Sequence, residues 1–190
     1  MPIKNIAKAI LKLFGYIISS YYVAKFKTSL FHYKDIAISV STFNGLLGVY
    51  VRRYFYSSTL KKCGDGLTVF FGAYICYEDV AIGNDCTIEE YSLLSRCELG
   101  NDVVIAAGVS VMSGAHHHNI RDLDTLFRKS QGLLKTVRIG DNTWIGTKSV
   151  IMNDIAANSI VGAGAVVTRP VNEFDIVAGV PAKVIGSRKA

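Results

Sequence analysis

The sequence is short of proline, with three residues in 190, and of charge, with Asp, Glu, Lys and Arg making up 19% against 50% hydrophobic residues. Such a chain is neither a disordered polymer nor a proline-rich linker, and it is long enough for one domain with a core plus an appendage. Cysteine occurs only at Cys63, Cys76, Cys86 and Cys97, and these gaps fit no metal-ligand spacing. Reduced thiols packed as small hydrophobes are the expected state, which suits a cytoplasmic chain. Long apolar runs are missing too: Leu13 to Ala24 is about a dozen residues and stops at Lys25, short of the roughly 20 that a bilayer crossing needs. It also makes a poor cleaved leader, because Tyr21, Tyr22 and lysines stand where small residues would be wanted. Acid is scarcest near the start. Residues 1–62 hold ten Lys or Arg and one acidic residue, Asp35, for a charge of +9, whereas the remainder carries −3. The first segment is therefore expected to meet something anionic.

What the sequence has is a period of six. Ile139, Ile145 and Ile151 are six apart, as are Val161 and Val167, and the same step joins Cys63, Val69 and Ile75, then Ile82, Ile88 and Leu94, then Leu99, Ile105 and Val111. This matches neither a helix nor a simple strand. Small residues follow many of these positions directly (Gly140, Gly146, Gly162) and again four later (Thr143, Ser149, Ala165). One aliphatic and two small positions in six predict a parallel β-helix, in which each short strand buries one side chain and the chain then turns a tight corner. Slips of one or two residues between runs are absorbed at corners, the last of them between Ala157 and Val161. Arg169-Pro170 is expected to end the repeat, and Asn172 to Ile185 to close the domain, with Pro181 setting a turn.

Ahead of the repeat, Ile3, Ile6, Ala7, Ile10, Leu11, Phe14, Ile17 and Ile18 fall at helical spacing, with Lys4, Lys8 and Lys12 on another side. This predicts an amphipathic helix. The alternation of Ile36 to Thr42 fits a strand, and Leu46 to Tyr56, with Arg52 and Arg53, reads as a second helix. Two roles fit residues 1–62: a cap over the first coil, or peripheral attachment to an anionic membrane surface through residues 1–35. One segment can serve both.

Between Val111 and Ile139 the period is lost, and residues 115–137 are predicted to leave the wall as a long functional loop. His116, His117 and His118 sit at its base. Adjacent histidines cannot easily all coordinate one ion, and His32 is the only other histidine, so no metal site is expected. A histidine base is what acyl transfer from a thioester to a hydroxyl requires, because the imidazole takes the proton as the hydroxyl attacks. A backbone N–H can then meet the developing oxyanion. With both substrates held together, no acyl-enzyme is needed.

The segments IGDNTWIG, VGAGAVVT and VAGVPAKVI resemble the closing coils of the hexapeptide-repeat acyltransferases, and IAAGVSVMSGAH resembles the segment before the catalytic histidine in the galactoside and maltose acetyltransferase group. The likeness covers about residues 63–186. It implies an all-β solenoid, a left-handed parallel β-helix of hexapeptide repeats over 63–190 with a closing segment at 170–190, preceded by a helical segment over 1–62 and interrupted by one protruding loop. The resemblance further implies an O-acetyltransferase that moves acetyl from acetyl-coenzyme A to a saccharide hydroxyl, the saccharide being a unit of a surface polysaccharide or its precursor. A cytoplasmic homotrimer, at or near the inner face of the membrane and with no nucleic-acid partner, is expected. By position, His116 matches the catalytic base. Coenzyme A is expected along Trp144, Gly146, Thr147, Ala163 and Gly164, with Arg169 and Lys183 toward its phosphates. The sequence departs from the galactoside group at IEEYSLLSRC, where Glu89, Glu90, Tyr91 and Ser95 replace polar residues that include Asn, so a simple galactoside is not the expected acceptor. Glu89, Glu90, Asp122 and His118 stand as acceptor contacts. N-acetylation of an amino sugar, with the same base, and a non-catalytic β-helix scaffold remain as rival readings.

Overall fold

One residue in six can point inward on every face only if the chain turns a corner after each short strand, and three such strands complete a coil. The computed structural model describes residues 2–114, 118–119, 123–130 and 132–189, with side chains from Lys4 onward. Coil one is β1 (Lys62–Cys63), β2 (Thr68–Val69) and β3 (Tyr74–Ile75); coil two is β4 (Ala81–Ile82), β5 (Thr87–Ile88) and β6 (Leu93–Leu94). Coil three is β7 (Cys97–Leu99), β8 (Val104–Ile105) and β9 (Ser110–Val111), and after the long loop coil four is β10 (Val137–Ile139), β11 (Trp144–Ile145) and β12 (Val150–Ile151). Then come β13 (Ile160–Val161), β14 (Val166–Val167), β15 (Asp175–Ala178) and β16 (Lys183–Ser187).

Like stacks on like. Strands β1, β4, β7 and β10 form sheet A; β2, β5, β8, β11, β13 and β15, with β16 at the edge, form sheet B; β3, β6, β9, β12 and β14 form sheet C. The register sets Val69, Ile88, Ile105, Ile145 and Val161 directly over one another. From coil two onward each inward aliphatic is at most 6% exposed. Full burial of one such side chain is worth about 1.5–3 kcal/mol.

The corners have their own chemistry. Three residues past each inward aliphatic the backbone turns left-handed, at Gly66, Asp85, Asp102, Asn142, Asn158 and Phe174 between sheets A and B, and at Gly72, Tyr91, Gly108, Lys148 and Gly164 between sheets B and C. Glycine enters this region freely and Asp or Asn at modest cost. Neighbouring A–B corners are laced together: Asn84 Oδ1 accepts from Asp65 N at 2.9 Å, Asn101 Oδ1 from Asn84 N at 2.9 Å, and Asp141 Oδ1 from Asn101 N at 2.7 Å. Buried hydroxyls are satisfied locally, with Thr143 donating to Gly140 O and Ser149 to Gly146 O, both at 2.8 Å.

Two expectations about the repeat are corrected. The inward residue after Ile151 is Ile155, not Ala157: it is 2% exposed and bridges Ile139 and Val171. The two-residue slip thus falls at the corner before it, where Asp154 Oδ1 accepts from Arg138 N and holds a shorter turn. Nor does Arg169-Pro170 end the repeat. The same short corner recurs, Val171 and Val177 continue the core, and only then does β16 fold back antiparallel on β15.

Before the solenoid come α1 (Pro2–Lys27), α2 (Tyr33–Ser41) and α3 (Gly45–Thr59). The strand expected at Ile36 to Thr42 is helical. Over so few residues the alternation also places Tyr33, Ile36, Ala37 and Val40 on one helical face, and packing on the solenoid end decides for helix. Tyr33, Ile36, Val40, Val51, Phe55 and Tyr56 share a single core with Val69 and Ile75 of coil one. Arg52, 1% exposed, donates to Val69 O and Phe43 O at 2.8 Å and to Ser41 O at 3.1 Å, while Arg53 donates from Nε to Leu67 O at 2.7 Å. The end of the first coil, whose backbone would otherwise be left open, is closed by these contacts. Helix α1 lies outside this cap and is longer than the apolar run suggested. Lys4–Lys27 is long and apolar enough to cross a bilayer by length and composition, because lysines that appeared to bound the run are incorporated in the helix.

Candidate active site

Coil stacking turns residues far apart in sequence into one vertical column. On the B–C corner, Glu89, Glu90 and Tyr91 of coil two lie next to Ala107 and Gly108 of coil three, then Gly146, Thr147 and Lys148, then Ala163 and Gly164. Backbone bonds fix the spacing: Gly108 N donates to Glu90 O, Lys148 N to Ala107 O, and Gly164 N to Thr147 O. Gly146 must be small, since a Cβ there would come within 2.6 Å of Ala163 N, whereas a Cβ on Gly164 would meet nothing within 4 Å. Ala163, Gly164 and Thr147 are exposed. The result is a shallow, open ledge of backbone and small side chains, suited to the close approach of an extended ligand.

Trp144 stands beside this ledge on the outer face of sheet B, 54% exposed, in register with Val104 below and Ile160 above. It is an exposed aromatic and not a packed one. Arg169 and Lys183 are brought together at the far end, where both line a cleft of about 250 Å³ with Asn172 and Asp175.

The acceptor contacts are less tightly assembled. Glu89 lies on the ledge, but its Oε2 accepts from Ala107 N at 3.1 Å, so one carboxylate oxygen is committed to joining coils two and three. Glu90 is half-buried beside it. His118 is exposed in the loop and meets Phe127 edge-on, with ring centroids 5.9 Å apart. His116 and Asp122 lie outside the described residues. The base of the loop is pinned, Lys135 N donating to Ser113 O at 3.0 Å and Lys135 Nζ pairing with Asp154 at 3.3 Å. It leaves from the corner between sheets C and A. Within one chain the loop base and the ledge are therefore separated by the width of sheet C.

A larger trough of about 900 Å³ lies elsewhere, on sheet A beside Lys62, Glu98 and Arg138. It holds none of the expected site residues, and the Arg138–Glu98 ion pair at 3.2 Å crosses it. The sequence reading passed over Lys148, which sits exposed and left-handed in the middle of the ledge. Its signal was available: it stands three past Ile145, as Gly108 and Gly164 stand three past Ile105 and Val161.

A capped, parallel, six-residue-repeat solenoid with a corner ledge and a side loop defines the class. Residues 136–169 match the family model described as the hexapeptide repeat of succinyl-transferase. Among solved structures, a maltose O-acetyltransferase from Clostridium difficile 630 superposes with a TM-score of 0.73 at 22% identity, over 83% of this chain and 86% of that one. A galactoside acetyltransferase in complex with coenzyme A gives 0.69 at 23% identity, over 81% and 78%. In sequence, the galactoside O-acetyltransferase of Escherichia coli (strain K12) is 33% identical over 91 residues, 46% of this chain and 42% of that enzyme. The chain spans less than half the length of the curated relatives it matches. It carries the repeat and the fold of the hexapeptide-repeat acyltransferases.

Proposed function

We propose that the protein is an O-acetyltransferase that moves acetyl from acetyl-coenzyme A to a saccharide hydroxyl, a unit of a surface polysaccharide or its lipid-linked precursor. The observation that carries this reading is the ledge. Thr147, Ala163 and Gly164 form an open run over the buried Gly146, Trp144 stands at its side, and Arg169 and Lys183 line one cleft. A pantetheine arm is long, thin and rich in amide groups, so it needs unobstructed backbone along its length and cations at its nucleotide end.

In this reading His116 is the general base, and direct attack by the bound hydroxyl makes a covalent intermediate unnecessary. Glu89, Glu90, Asp122 and His118 are assigned to the acceptor. Because loop and ledge of one chain lie on different corners, the complete site would form between neighbours in a homotrimer, each loop reaching the next chain's ledge. The proposed setting is the cytoplasm, where acetyl-coenzyme A is available, with a lipid-linked acceptor drawing the enzyme to the inner face of the membrane.

The test is release of free coenzyme A thiol from acetyl-coenzyme A against a panel of sugars, amino sugars and oligosaccharides, with the oligomer measured by sedimentation. Release that depends on a saccharide hydroxyl supports the reading. Release only with amino sugars would make the enzyme an N-acetyltransferase, and absence of coenzyme A binding would favour a scaffold. A monomer that still turns over would remove the shared site.

A further inference from the structure

Helix α1 has a face that none of the described residues covers. One side rests on the cap: a Cβ added to Gly15 would come within 2.6 Å of Tyr50 Cβ, Tyr16 meets Tyr54 edge-on at 5.6 Å, and Tyr22 and Phe26 pack against Phe43 and Tyr33. The opposite side shows Ile6, Ile10, Leu13, Phe14, Ile17 and Tyr21, each 49–63% exposed. At about 100° per residue these six fall in one continuous stripe. Lys25 and Lys27 stand at the two borders of the stripe near its end, whereas Lys4, Lys8 and Lys12 fall on the side that rests on the cap, Lys12 Nζ lying 5.9 Å from the centre of the Tyr50 ring, and the helix contains no acidic residue.

We propose that α1 lies in the plane of an anionic bilayer surface, with this stripe sunk to the acyl boundary and Lys25 and Lys27 at its borders among the headgroups. Apolar area this continuous is unfavourable in water and marks an interaction site. Charge selects the occupant. Lys25 and Lys27 flank the stripe and α1 has no acidic residue, which suits anionic headgroups, while the −3 of residues 63–190 would be held away from them. Packing selects the in-plane geometry over a crossing. To span, α1 would have to peel Gly15 and Tyr16 from α3 and carry Lys12 toward the bilayer middle. In plane, α1 keeps both its cap contacts and its stripe, and the solenoid stands on the water side. The inference is independent of the acyl-transfer reading.

The full-length chain should co-sediment with vesicles of phosphatidylcholine and phosphatidylglycerol, much less with phosphatidylcholine alone, and salt should weaken the attachment. Lys25→Gln and Lys27→Gln together should reduce partitioning about 25-fold, at about fivefold per lysine. An Ile10→Asn, Phe14→Ser, Ile17→Asn variant should lose it by a similar factor or more. None of the five positions is buried, so both variants should keep the wild-type circular dichroism, and each tests the proposal without the other. Alkaline carbonate should release the bound protein. Failure to bind either vesicle, binding that survives both variants, or retention through carbonate would overturn the proposal. So would an apolar-face variant that loses self-association in the absence of vesicles, since the stripe would then be a contact between copies.

Discussion

The guanidinium of Arg52 donates from Nε to the carbonyl oxygen of Val69 at 2.8 Å, across the seam between α3 and coil one. No acidic side chain pairs with it among the described residues, and its charge is met by main-chain carbonyls. Burial lowers its pKa from the ordinary arginine value. Arg52→Ala would strand those carbonyls in the core and should cost about 3–5 kcal/mol of unfolding free energy. Arg52→Lys keeps the charge but not the fork and should recover only part of that. Urea midpoints test this, and a loss below about 1 kcal/mol would show that the cap is held without the arginine.

Lys148 holds a φ of 57° in a column where Gly72, Gly108 and Gly164 are glycine and only Tyr91 is not. Removing the side chain relieves a left-handed conformation that costs a non-glycine residue about 1–2 kcal/mol, so Lys148→Gly should raise the melting temperature. Gly164→Ala should lower it modestly for the same reason, and Gly146→Ala more, because its Cβ collides with Ala163 N. A rise in KM for acetyl-coenzyme A in Lys148→Gly, with kcat unchanged, would place the lysine in contact with that substrate.

Stability should fall at alkaline pH. Burial pushes the Cys63 thiol up to about 11 from the ordinary 9.0, and it raises Cys76, Cys86, Cys97, Tyr33 and Tyr56 as well. These groups are neutral when protonated, and the unfolded chain gives up its thiol protons first. Their contribution is therefore complete below about pH 9 and is lost as pH rises, through about 11 for Cys63. Unfolding midpoints should be flat near neutrality and decline above about pH 9. At pH 8 the native Cys76, Cys86 and Cys97 thiols should resist a disulfide reagent that labels all four cysteines in denaturant, Cys63 being only half-buried. Rapid labelling of those three in the native chain would contradict the burial.

For the proposed chemistry, His116→Ala should lower kcat by about 100- to 10,000-fold with little change in coenzyme A affinity. His117→Ala should be near neutral. His118, exposed and edge-on to Phe127, should act mainly through acceptor KM. The rate of the intact enzyme should fall on the acid side, where imidazole is protonated, and that limb should vanish without the base. Steady-state pH profiles decide the matter, and a larger kcat loss at His118 would move the role there.

The repeat was legible because a solenoid ties burial to sequence position with unusual strictness. Val69, Ile88, Ile105 and Ile145 could be named as core from spacing alone, and they are completely buried. Legibility failed where a corner shortened, since Ile155 and Val171 fall four residues after their predecessors and so look like noise in a six-step count. It failed again at α2, where a few alternating residues suit either period and only contact with coil one decides. That the ledge residues share one column follows from the repeat, whereas their expected role toward coenzyme A came from the resemblance alone. The second use of Glu89, as an acceptor for Ala107 N, was not legible, because it depends on how a side chain lies between coils. The loop obeys no period, and its position relative to the ledge cannot be counted out from either side.

Strand β16 runs against β15, whereas every other strand pair in the described sheets is parallel. A stack of identical coils has no natural length, for the last coil offers the next one the same unpaired backbone that a growing fibril tip offers an incoming chain. Here one tip is shut by two arginines reaching from a helix into coil one, and the other by a strand whose reversed direction cannot template a further parallel coil. A chain trimmed at either tip would still possess its core, and would be free to polymerise end to end.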